Sequence, residues 1–318
     1  MTPPLSGAEV ARLMAPGDYL AAMERAFAAL AAGEIVSPMP LHQPADGGGF
    51  HAKAALWAKG EPPLFALKLN GNFPANPARG LPTIQGVLVL SRADDGRVLA
   101  VMDSAEITLR RTAAASALAA RHLALADADT VTVCGCGEQG EAQLRALADV
   151  LPLKRAFAWD ADAAQAAGFA GRVADLGLDV AAAGDLLACT RASPVIVACT
   201  PARAPYLGPE HVAPGAFVAA VGADSGEKSE LAPALLASAR VVTDATAQCA
   251  VMGDLAHALA AGAMRLDDVH AELGDLVLGR RPGRTGAAEV FVFDSTGTAA
   301  QDLVAAAEVW RRAGAPGA

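Results

Sequence analysis

The chain shows two successive patterns of apolar and polar residues. In its first part, apolar residues alternate with polar or small ones over short runs, which predicts β-strands. The predicted strands cover residues 50–57, 65–69, 83–90 and 98–102. The sequence Asp-Asp-Gly at 94–96 predicts a hairpin between the last two. Strands that follow one another without helices are typical of a mostly antiparallel sheet.

Apolar residues at helical spacing predict helices on both sides of these strands. A capping box at residues 6–9 begins a short helix, and residues 19–32 form an amphipathic one. Prolines then keep the chain extended as far as a turn at 46–49. A long alanine-rich helix is predicted over 104–124. We place a domain boundary within this helix.

From residue 130 onwards the patterns of strand and helix alternate. Strands are predicted at 130–134, 155–159, 195–199, 217–221, 241–243 and 289–293, with an amphipathic helix at 298–312 and a frayed tail at 314–318. Such alternation is the signature of a doubly wound parallel sheet. The predicted fold class is therefore α/β, with a doubly wound Rossmann domain plus an α+β domain.

The turn after the strand at 130–134 has the spacing G-x-G-x-x-G. Gly135 permits a tight turn, Gly137 lets the backbone approach a pyrophosphate, and Gly140 allows the following helix to pack closely on the strand. The amide groups and positive dipole end of that helix favour phosphate. Because strand, glycine turn and helix occur in this order, the stretch predicts a dinucleotide site.

Asp160 ends the next predicted strand, about 20 residues after the last glycine, where an acid binds the ribose 2′-hydroxyl of NAD. This position favours NAD(H) as the cofactor. The alternative is that Asp160 only caps the following helix. NADP(H) also stays possible, because Asp162 and nearby arginines alter the charge around the ribose.

Composition and charge narrow the choice of partners and compartment. The 318 residues have a formal charge of −9 and a pI near 5.1, which argues against nucleic acid and anionic membranes. We find no 18-residue apolar run and no signal peptide at the N-terminus. The five cysteines form neither a disulfide ladder nor a metal pattern, and the odd count suits a reducing cytoplasm. We therefore predict a cytoplasmic protein without a metal.

Three further positions are candidates for chemistry. Lys68 alternates with apolar residues on a strand, so it is either a solvated lysine or a cation for a substrate carboxylate. Arg110 and Arg111 share a helix, and only one of them can face a given cleft; an arginine fork suits a carboxylate. Asp224 follows a buried strand at the carboxyl edge of the parallel sheet, where it is either an acid/base group or a turn residue.

Several separate motifs resemble the ornithine cyclodeaminase/mu-crystallin family. They are NPARGLPT at 76–83, LAVMD at 99–103, RTAA at 111–114, the glycine fingerprint, AVGAD at 220–224 and FDSTG at 293–297. The resemblance implies a homodimer in which residues 1–115 and 295–318 form the substrate and dimerisation domain. Residues 116–294 would form the dinucleotide-binding domain, with the C-terminal helix returning to the first domain.

The resemblance also implies roles for individual residues. Lys68 and Arg111 match the family's ligands for the substrate carboxylate, and Asp224 matches its catalytic acid/base position, while Arg110 is expected to be solvated. Lys53 and Thr83 are further candidate substrate contacts. The candidate cofactor contacts are Gly135, Gly137, Glu138, Gln139, Gly140, Asp160, Thr200, Val221, Gly222 and Ser295.

Two departures from the family pattern bear on the substrate. The family often has an arginine in a Pro-x-Arg stretch where this chain reads Pro-Met-Pro-Leu at 38–41, and Lys53 is a candidate replacement for it. Ornithine cyclodeaminases have a glutamate near the place of His51 to hold the distal amine. A histidine does not supply that fixed negative charge, so ornithine is a doubtful substrate.

Three functions follow from this resemblance. The first is an NAD(H)-dependent oxidoreductase that transfers a hydride to or from Cα of a small amino or imino acid. Its expected catalytic residues are Lys68 and Asp224, with Asp224 exchanging the proton. The alternative is a lyase of the ornithine cyclodeaminase type, which uses NAD catalytically and releases ammonia. The third is a non-enzymatic binder of nucleotide and ligand. Retention of Asp224 and Lys228 favours the two enzymes.

Overall fold

The computed structural model describes residues 4–314. Most of the tail predicted at 314–318, and the first three residues of the segment searched for a signal peptide, lie outside this part. The chain forms two compact units, one of residues 1–111 and 298–318 and the other of residues 112–297. Within the described residues no helix is long and apolar enough to cross a membrane.

The first part of the chain contains three helices and six strands in the described residues. They are α1 (Gly7–Leu13), α2 (Pro16–Ala31), β1 (Ile35–Val36), β2 (Leu41–Ala45), β3 (Gly48–Trp57), β4 (Leu64–Asn72), β5 (Ile84–Arg92), β6 (Val98–Asp103) and α3 (Ser104–Leu123). The unit boundary falls within α3, between Arg111 and Thr112.

The rest of the chain alternates strands and helices. Its elements are β7 (Thr130–Cys134), α4 (Glu138–Ala148), β8 (Arg155–Trp159), α5 (Ala163–Arg172), β9 (Asp179–Ala182), α6 (Leu186–Arg191), β10 (Val195–Ala198), β11 (Phe217–Ala220), α7 (Pro233–Ser238), β12 (Arg240–Thr243), α8 (Thr246–Met252), α9 (Asp254–Ala260), β13 (Ala271–Glu272), α10 (Leu273–Val277), β14 (Phe291–Asp294) and α11 (Ala299–Arg312). Helix α11 belongs to the first unit.

The first unit contains an antiparallel sheet with the strand order β1-β3-β4-β5-β6, and β2 pairs with β3. Side chains alternate between two faces of this sheet. On the inner face, Lys53 of β3 lies opposite Lys68 of β4, which lies opposite Leu88 of β5. Helix α11 packs on β3, β4 and β5, and ten of its 14 residues are buried. The inner face is therefore the core of the unit.

The second unit contains an eight-stranded parallel sheet in the order β13-β12-β14-β11-β10-β7-β8-β9. Its central strands are fully buried, as in a sheet covered by helices on both faces. The strand order reverses next to β7, between β8 and β10. Ligands of open α/β sheets bind at the carboxyl ends of the strands beside such a reversal. This arrangement confirms the predicted fold class.

The structure adds strands that the patterns did not predict. Strand β2 contains Pro44 and was expected to be only extended chain, but β2 is an edge strand, where a missing amide donor is tolerated. The edge strand β9 is short and largely exposed, so it has no apolar run to reveal it.

Candidate functional site

The glycine turn between β7 and α4 has the shape that a pyrophosphate requires. Gly135 has φ +104°, and a Cβ there would lie 2.8 Å from the carbonyl oxygen of Cys199. A Cβ on Gly140 would lie 2.1 Å from the carbonyl oxygen of Gly135. At Gly137, in contrast, nothing in the described protein lies within 4 Å of an added Cβ. Packing explains two of the glycines, while the third leaves open space at the start of a helix.

Asp160 lies directly beside this turn. Its Oδ2 accepts a hydrogen bond from the amide of Cys136 at 2.8 Å, and its Oδ1 accepts one from the amide of Asp162 at 2.9 Å. The N-cap of α5 is Asp162, which accepts from the amide of Ala164. The alternative that Asp160 caps this helix is therefore wrong. A half-buried carboxylate at the end of the second strand fits a ribose hydroxyl.

A buried carboxylate that the sequence did not reveal joins two loops at the same edge of the sheet. Glu230 Oε1 accepts from Thr200, through its amide at 2.6 Å and its hydroxyl at 2.7 Å, and from the Tyr206 hydroxyl at 2.9 Å. Its Oε2 accepts from the amide of Gly222 at 2.8 Å. Burial raises the pKa of Glu230 to about 7, although these donors oppose the shift. Two predicted cofactor contacts, Thr200 and Gly222, are thus held by one side chain.

Asp224 lies in the loop after β11, two residues beyond Gly222. Its Oδ1 accepts from Lys228 Nζ at 2.6 Å, and its side chain is 45% exposed. A carboxylate beside a lysine at this edge can exchange a proton with a ligand. Val221, also predicted to contact the cofactor, is buried in the same loop.

Three other predicted cofactor contacts of the second unit lie on α4 and in the loop after β14. Glu138 and Gln139 form the first turn of α4. Ser295 is buried, and its hydroxyl donates to Asp244 Oδ2 at 3.1 Å, so it supports the loop after β14. In the described residues no three His, Cys, Asp or Glu side chains are grouped to hold a metal.

The inner face of the first unit's sheet holds a buried cluster of charges. Lys68 Nζ contacts Asp302 at 2.8 Å from Oδ1 and 2.7 Å from Oδ2, and it donates to the Thr108 hydroxyl at 3.2 Å. Arg111 Nε contacts Asp302 Oδ1 at 3.0 Å, and its Nη1 donates to Gln301 Oε1 at 2.9 Å. Two predicted carboxylate ligands on different elements therefore share one acid of α11.

Burial sets the electrostatics of this cluster. It lowers the pKa of Lys68 to about 7, and the neighbouring cations Arg111 and Lys53 add to this effect against the attraction of Asp302. Burial alone would raise the pKa of Asp302, but Lys68 and Arg111 outweigh it and lower that pKa. The carboxylate is thus fixed as an anion between cations.

The remaining predicted residues of the first unit lie around this cluster or at its edge. Lys53 is buried beside Lys68. Thr83 precedes β5, and its carbonyl oxygen accepts from the amide of Phe73 at 2.9 Å. Arg110 pairs with Glu106 on α3 at 2.9 Å and is partly exposed, so the structure does not bring it into the cluster.

Sequence reasoning missed Asp302 and Gln301. A signal was present, because a Gln-Asp pair interrupts the long apolar face of α11. Polar residues on such a face are buried only when they have partners. Glu230 left no comparable signal, because it lies in a polar loop among Ser225, Glu227 and Lys228.

Fold and site together define an α/β protein with a dinucleotide-binding glycine turn in one unit and a buried cluster of charges in the other. The chain belongs to the ornithine cyclodeaminase/mu-crystallin family, because the model of that family matches residues 5–316. The family expected from the motifs is thereby confirmed.

Curated relatives include enzymes of two kinds. The iminosuccinate reductase of Paracoccus denitrificans is 37% identical over 310 residues, which cover 95% of this chain and 93% of that protein. The ornithine cyclodeaminase of Agrobacterium tumefaciens is 29% identical over 246 residues, which cover 76% of this chain and 67% of that protein. The chain is thus similar to a reductase over a greater length than to this cyclodeaminase.

Solved structures agree with the fold over nearly the whole chain. An archaeal alanine dehydrogenase dimer with bound NAD has a TM-score of 0.92 and 32% identity, covering 97% of this chain and 95% of that chain. The Δ1-pyrroline-2-carboxylate reductase of Thermococcus litoralis, in complex with NADH and L-proline, has a TM-score of 0.93 and 25% identity, covering 97% and 96%.

Proposed function

We propose that this protein is an NAD(H)-dependent oxidoreductase that transfers a hydride to or from Cα of a small amino or imino acid. The observation that supports it most is the buried cluster in which Lys68 and Arg111 share the single carboxylate of Asp302. Cations in this arrangement suit a small carboxylate, which also accepts the fork of an arginine. Relatives named as an iminosuccinate reductase and an alanine dehydrogenase support the same class.

In this proposal the first unit binds the substrate. Lys68 and Arg111 hold its carboxylate, Lys53 adds a third cation, and Thr83 lies at the rim. The buried amide nitrogen of Gln301 has no hydrogen-bond partner in the described residues, so it supplies a further donor. Fixing the carboxylate orients Cα for reaction, which is the main contribution that positioning makes to such a step.

The second unit binds the cofactor. The open space at Gly137, the start of α4 and the Asp160 carboxylate fit a pyrophosphate and a ribose with free hydroxyls, which favours NAD(H) over NADP(H). Relatives of known structure contain NAD or NADH. When bound, the nicotinamide supplies or accepts the hydride.

Asp224 is the proposed proton donor and acceptor. Reduction of an imine places a hydride on carbon and a proton on nitrogen, and the products are an amino acid and NAD⁺. The proton comes from the carboxyl group of Asp224, which is restored from solvent. Its partner Lys228, 2.6 Å away, stabilises the anion that remains.

A homodimer is the proposed assembly, and the outer face of the first unit's sheet is its proposed interface. An antiparallel sheet usually presents polar residues on the face opposite its core. Here the outer residues Leu56, Leu67, Leu69 and Val87 are exposed and apolar, and Leu69 pairs directly with Val87. A second copy of this face would cover such a patch. The archaeal alanine dehydrogenase of similar structure is a dimer.

A reducing compartment is the proposed location, as expected from sequence. All five cysteines are free thiols, and Cys134, Cys136, Cys189 and Cys249 are buried. Buried thiols of this kind are typical of cytoplasmic proteins.

The direct test is NADH consumption by the purified protein. It should oxidise NADH with a cyclic imine such as Δ1-pyrroline-2-carboxylate, or with a 2-oxo acid in the presence of ammonium. L-ornithine with catalytic NAD should be tested in parallel for ammonia release. Release of ammonia and proline without net NADH change would favour the cyclodeaminase alternative. The similarity to an ornithine cyclodeaminase is the reason for including this test. Binding of NADH without either reaction would contradict both enzymes.

A further inference from the structure

The N-terminal turn of α11 is buried, yet its own N-cap side chain does not cap it. The N-cap residue is Thr298, which is buried, as is Gln301 three positions later. The first amide groups of a helix have no carbonyl oxygen of the same helix as acceptor, so a buried helix end normally has a capping side chain. Here the Thr298 side chain makes no such hydrogen bond.

The sequence of this turn contains the residues of a capping box. In such a box the hydroxyl of Thr298 would accept from the amide of Gln301, and the glutamine side chain would accept from the amide of the threonine. In the structure Gln301 Oε1 instead accepts from Arg111 Nη1 at 2.9 Å. Among residues 4–314, no acceptor is found for the amides of Ala299 and Ala300, the first two residues of the helix. The end of α11 therefore has free donors.

Two side-chain atoms at this turn are also buried without a hydrogen-bond partner. They are the hydroxyl oxygen of Thr298 and the Nε2 atom of Gln301, for which the described part of the chain provides no partner. Residues three positions apart lie on the same side of a helix, so both atoms belong to one side of the first turn. Because buried polar atoms are nearly always hydrogen-bonded, two unpaired ones at a single turn indicate a ligand.

The charges around this turn favour an anion as that ligand. Asp302, the next residue of α11, is bonded to both Lys68 and Arg111, so two cations lie at the start of the helix with one carboxylate between them. The positive end of the helix dipole and the free amides add to the positive potential. A cationic ligand would meet like charge here, whereas an anion would accept from every free donor of the turn.

A carboxylate matches the two sets of donors. It has two oxygens, each of which accepts up to two hydrogen bonds. One oxygen would accept from the cations Lys68 and Arg111. The other oxygen would accept from the hydroxyl of Thr298 and the amide nitrogen of Gln301, which have no other partner in the described residues.

We propose that the carboxylate of the substrate is the cap of α11, with Thr298 and Gln301 as binding residues at its second oxygen. The proposal rests on the proposed function, since it concerns the substrate site of the same oxidoreductase. It adds Thr298 to the residues that contact the substrate and gives this residue a part in binding, not in proton or hydride transfer.

The variant Thr298→Val tests whether the hydroxyl serves a ligand or the fold. Valine has nearly the shape of threonine, and a buried hydroxyl without a partner is unfavourable to the folded chain. The melting temperature of the ligand-free protein should therefore stay the same or rise. A hydroxyl that capped the helix would give the opposite result, because loss of an N-cap lowers stability.

Binding of a carboxylate is the second readout, and it does not depend on turnover. In the presence of NADH, pyrrole-2-carboxylate, a stable planar analogue of pyrroline-2-carboxylate, is titrated by calorimetry beside its neutral carboxamide. Thr298→Val should weaken carboxylate binding by about 10-fold to 100-fold, the effect of one hydrogen bond to a charged group. Thr298→Ser retains the hydroxyl and should bind within a few-fold of the wild type. Thr285→Val, which removes an exposed hydroxyl bonded to Glu289, is the matched control.

The variant Gln301→Glu tests the second donor. It keeps an oxygen for Arg111 but replaces the N–H₂ group with another oxygen, which repels a carboxylate. The affinity for pyrrole-2-carboxylate should fall at least as far as in Thr298→Val, while NADH affinity stays within a few-fold in both variants. For any imine that the enzyme reduces, both variants should raise KM more than they lower kcat.

Three results would overturn the proposal. They are equal binding of carboxylate and carboxamide by the wild type, unchanged carboxylate binding in Thr298→Val, and weaker binding of NADH alone in that variant, which would make the cofactor the cap. Turnover of an imine with an unchanged KM in Thr298→Val would refute the cap and leave the oxidoreductase intact. Weaker carboxylate binding in this variant, together with no NADH oxidation by the wild type, would support the cap and refute the oxidoreductase.

Discussion

The two units hold their functional groups in different ways. In the second unit, the glycine turn is a local structure, since residues 135–140 are contiguous and two of the three glycines are required by nearby backbone atoms. In the first unit, the buried cluster of charges depends on residues distant in sequence, and Lys68 and Asp302 are 234 positions apart. A local turn depends on the conformation of its own backbone. A buried charge cluster is stable only if each charge is paired with an opposite one. Substitutions should therefore damage the two units in different ways.

The largest effect is expected at Asp302. Asp302→Ala removes the anion between Lys68 and Arg111, and breaking such a buried pair costs about 3–5 kcal/mol. Urea denaturation of the variant measures this loss. Asp94→Ala, which removes the exposed pair with Arg92, is the control and should change the free energy of unfolding by about 0–1 kcal/mol. Equally small decreases in the free energy of unfolding of both variants would show that Asp302 does not stabilise the buried cations.

Asp224 should matter for turnover and not for stability. Asp224→Asn removes the proposed proton donor, so kcat should fall by about 10²–10⁴-fold, the usual contribution of general acid–base catalysis. The partly exposed side chain leaves no buried charge behind, and NADH affinity by fluorescence titration should stay within a few-fold. Unchanged turnover would exclude the proposed role.

The glycine turn offers a matched pair of variants. Gly140→Ala places a methyl group 2.1 Å from a carbonyl oxygen, so it should destabilise the unit by about 1–3 kcal/mol and weaken NADH binding. Gly137→Ala places the same group in open space, so the melting temperature should be unchanged while NADH binds about tenfold more weakly. If Gly137→Ala binds NADH normally, the pyrophosphate does not approach this residue.

Glu230 should affect the loops that face the cofactor. Glu230 accepts four hydrogen bonds, and Glu230→Gln turns an N–H₂ group toward a donor at Thr200 or Gly222. An unsatisfied donor of this kind costs about 1–3 kcal/mol, and we expect it to appear as weaker NADH binding. Tyr206→Phe removes one of the four donors and keeps the others. A smaller loss in Tyr206→Phe would confirm the positioning role, while equal losses would contradict it.

A dependence on pH is expected at Lys68. Lys68 has its pKa lowered to about 7 from 10.5 because it is buried, so its cation is present below pH 7 and lost above it. Affinity for a carboxylate substrate should therefore fall by up to about tenfold per pH unit above 7, seen as a rise in KM. In Lys68→Arg the charge persists and this rise should disappear.

Lys68 also links pH to the free energy of unfolding. The unfolded chain binds more protons than the folded one between pH 7 and 10.5, so the contribution of Lys68 to stability rises over that range. If the free energy of unfolding shows no contribution from Lys68 between pH 7 and 10.5, the pKa of Lys68 is that of an ordinary lysine.

The comparison of units also explains which features were predictable. The strands at 130–134 and 155–159 and the glycine turn follow from short contiguous patterns, and the structure has both strands with the predicted bounds. The buried cluster of charges in the first unit could be predicted only in part. Lys68 and Arg111 were selected as residue types, and the resemblance gave them roles, but their partner Asp302 becomes visible only when α11 lies on the sheet.

Features without a local pattern were missed for physical reasons. Edge strands β2 and β9 are exposed, so burial imposes no apolar alternation on them. Glu230 is buried because two loops close around it, and the spacing of apolar residues in the sequence does not predict such loop contacts. Hydrophobic patterns predict elements, whereas polar networks depend on the tertiary arrangement.

The place of Asp302 in the chain has a consequence for synthesis on the ribosome. Lys68 and Arg111 are made early, and their acid is added only after the whole second unit has been translated. Until then the inner face of the N-terminal sheet holds cations with neither their counter-ion nor the apolar cover of α11. The nascent sheet must therefore stay hydrated and incompletely packed, while residues 112–297 are free to fold first as a unit. The charge cluster is completed last, when α11 packs on the sheet and on the N-terminal helices α1 and α2.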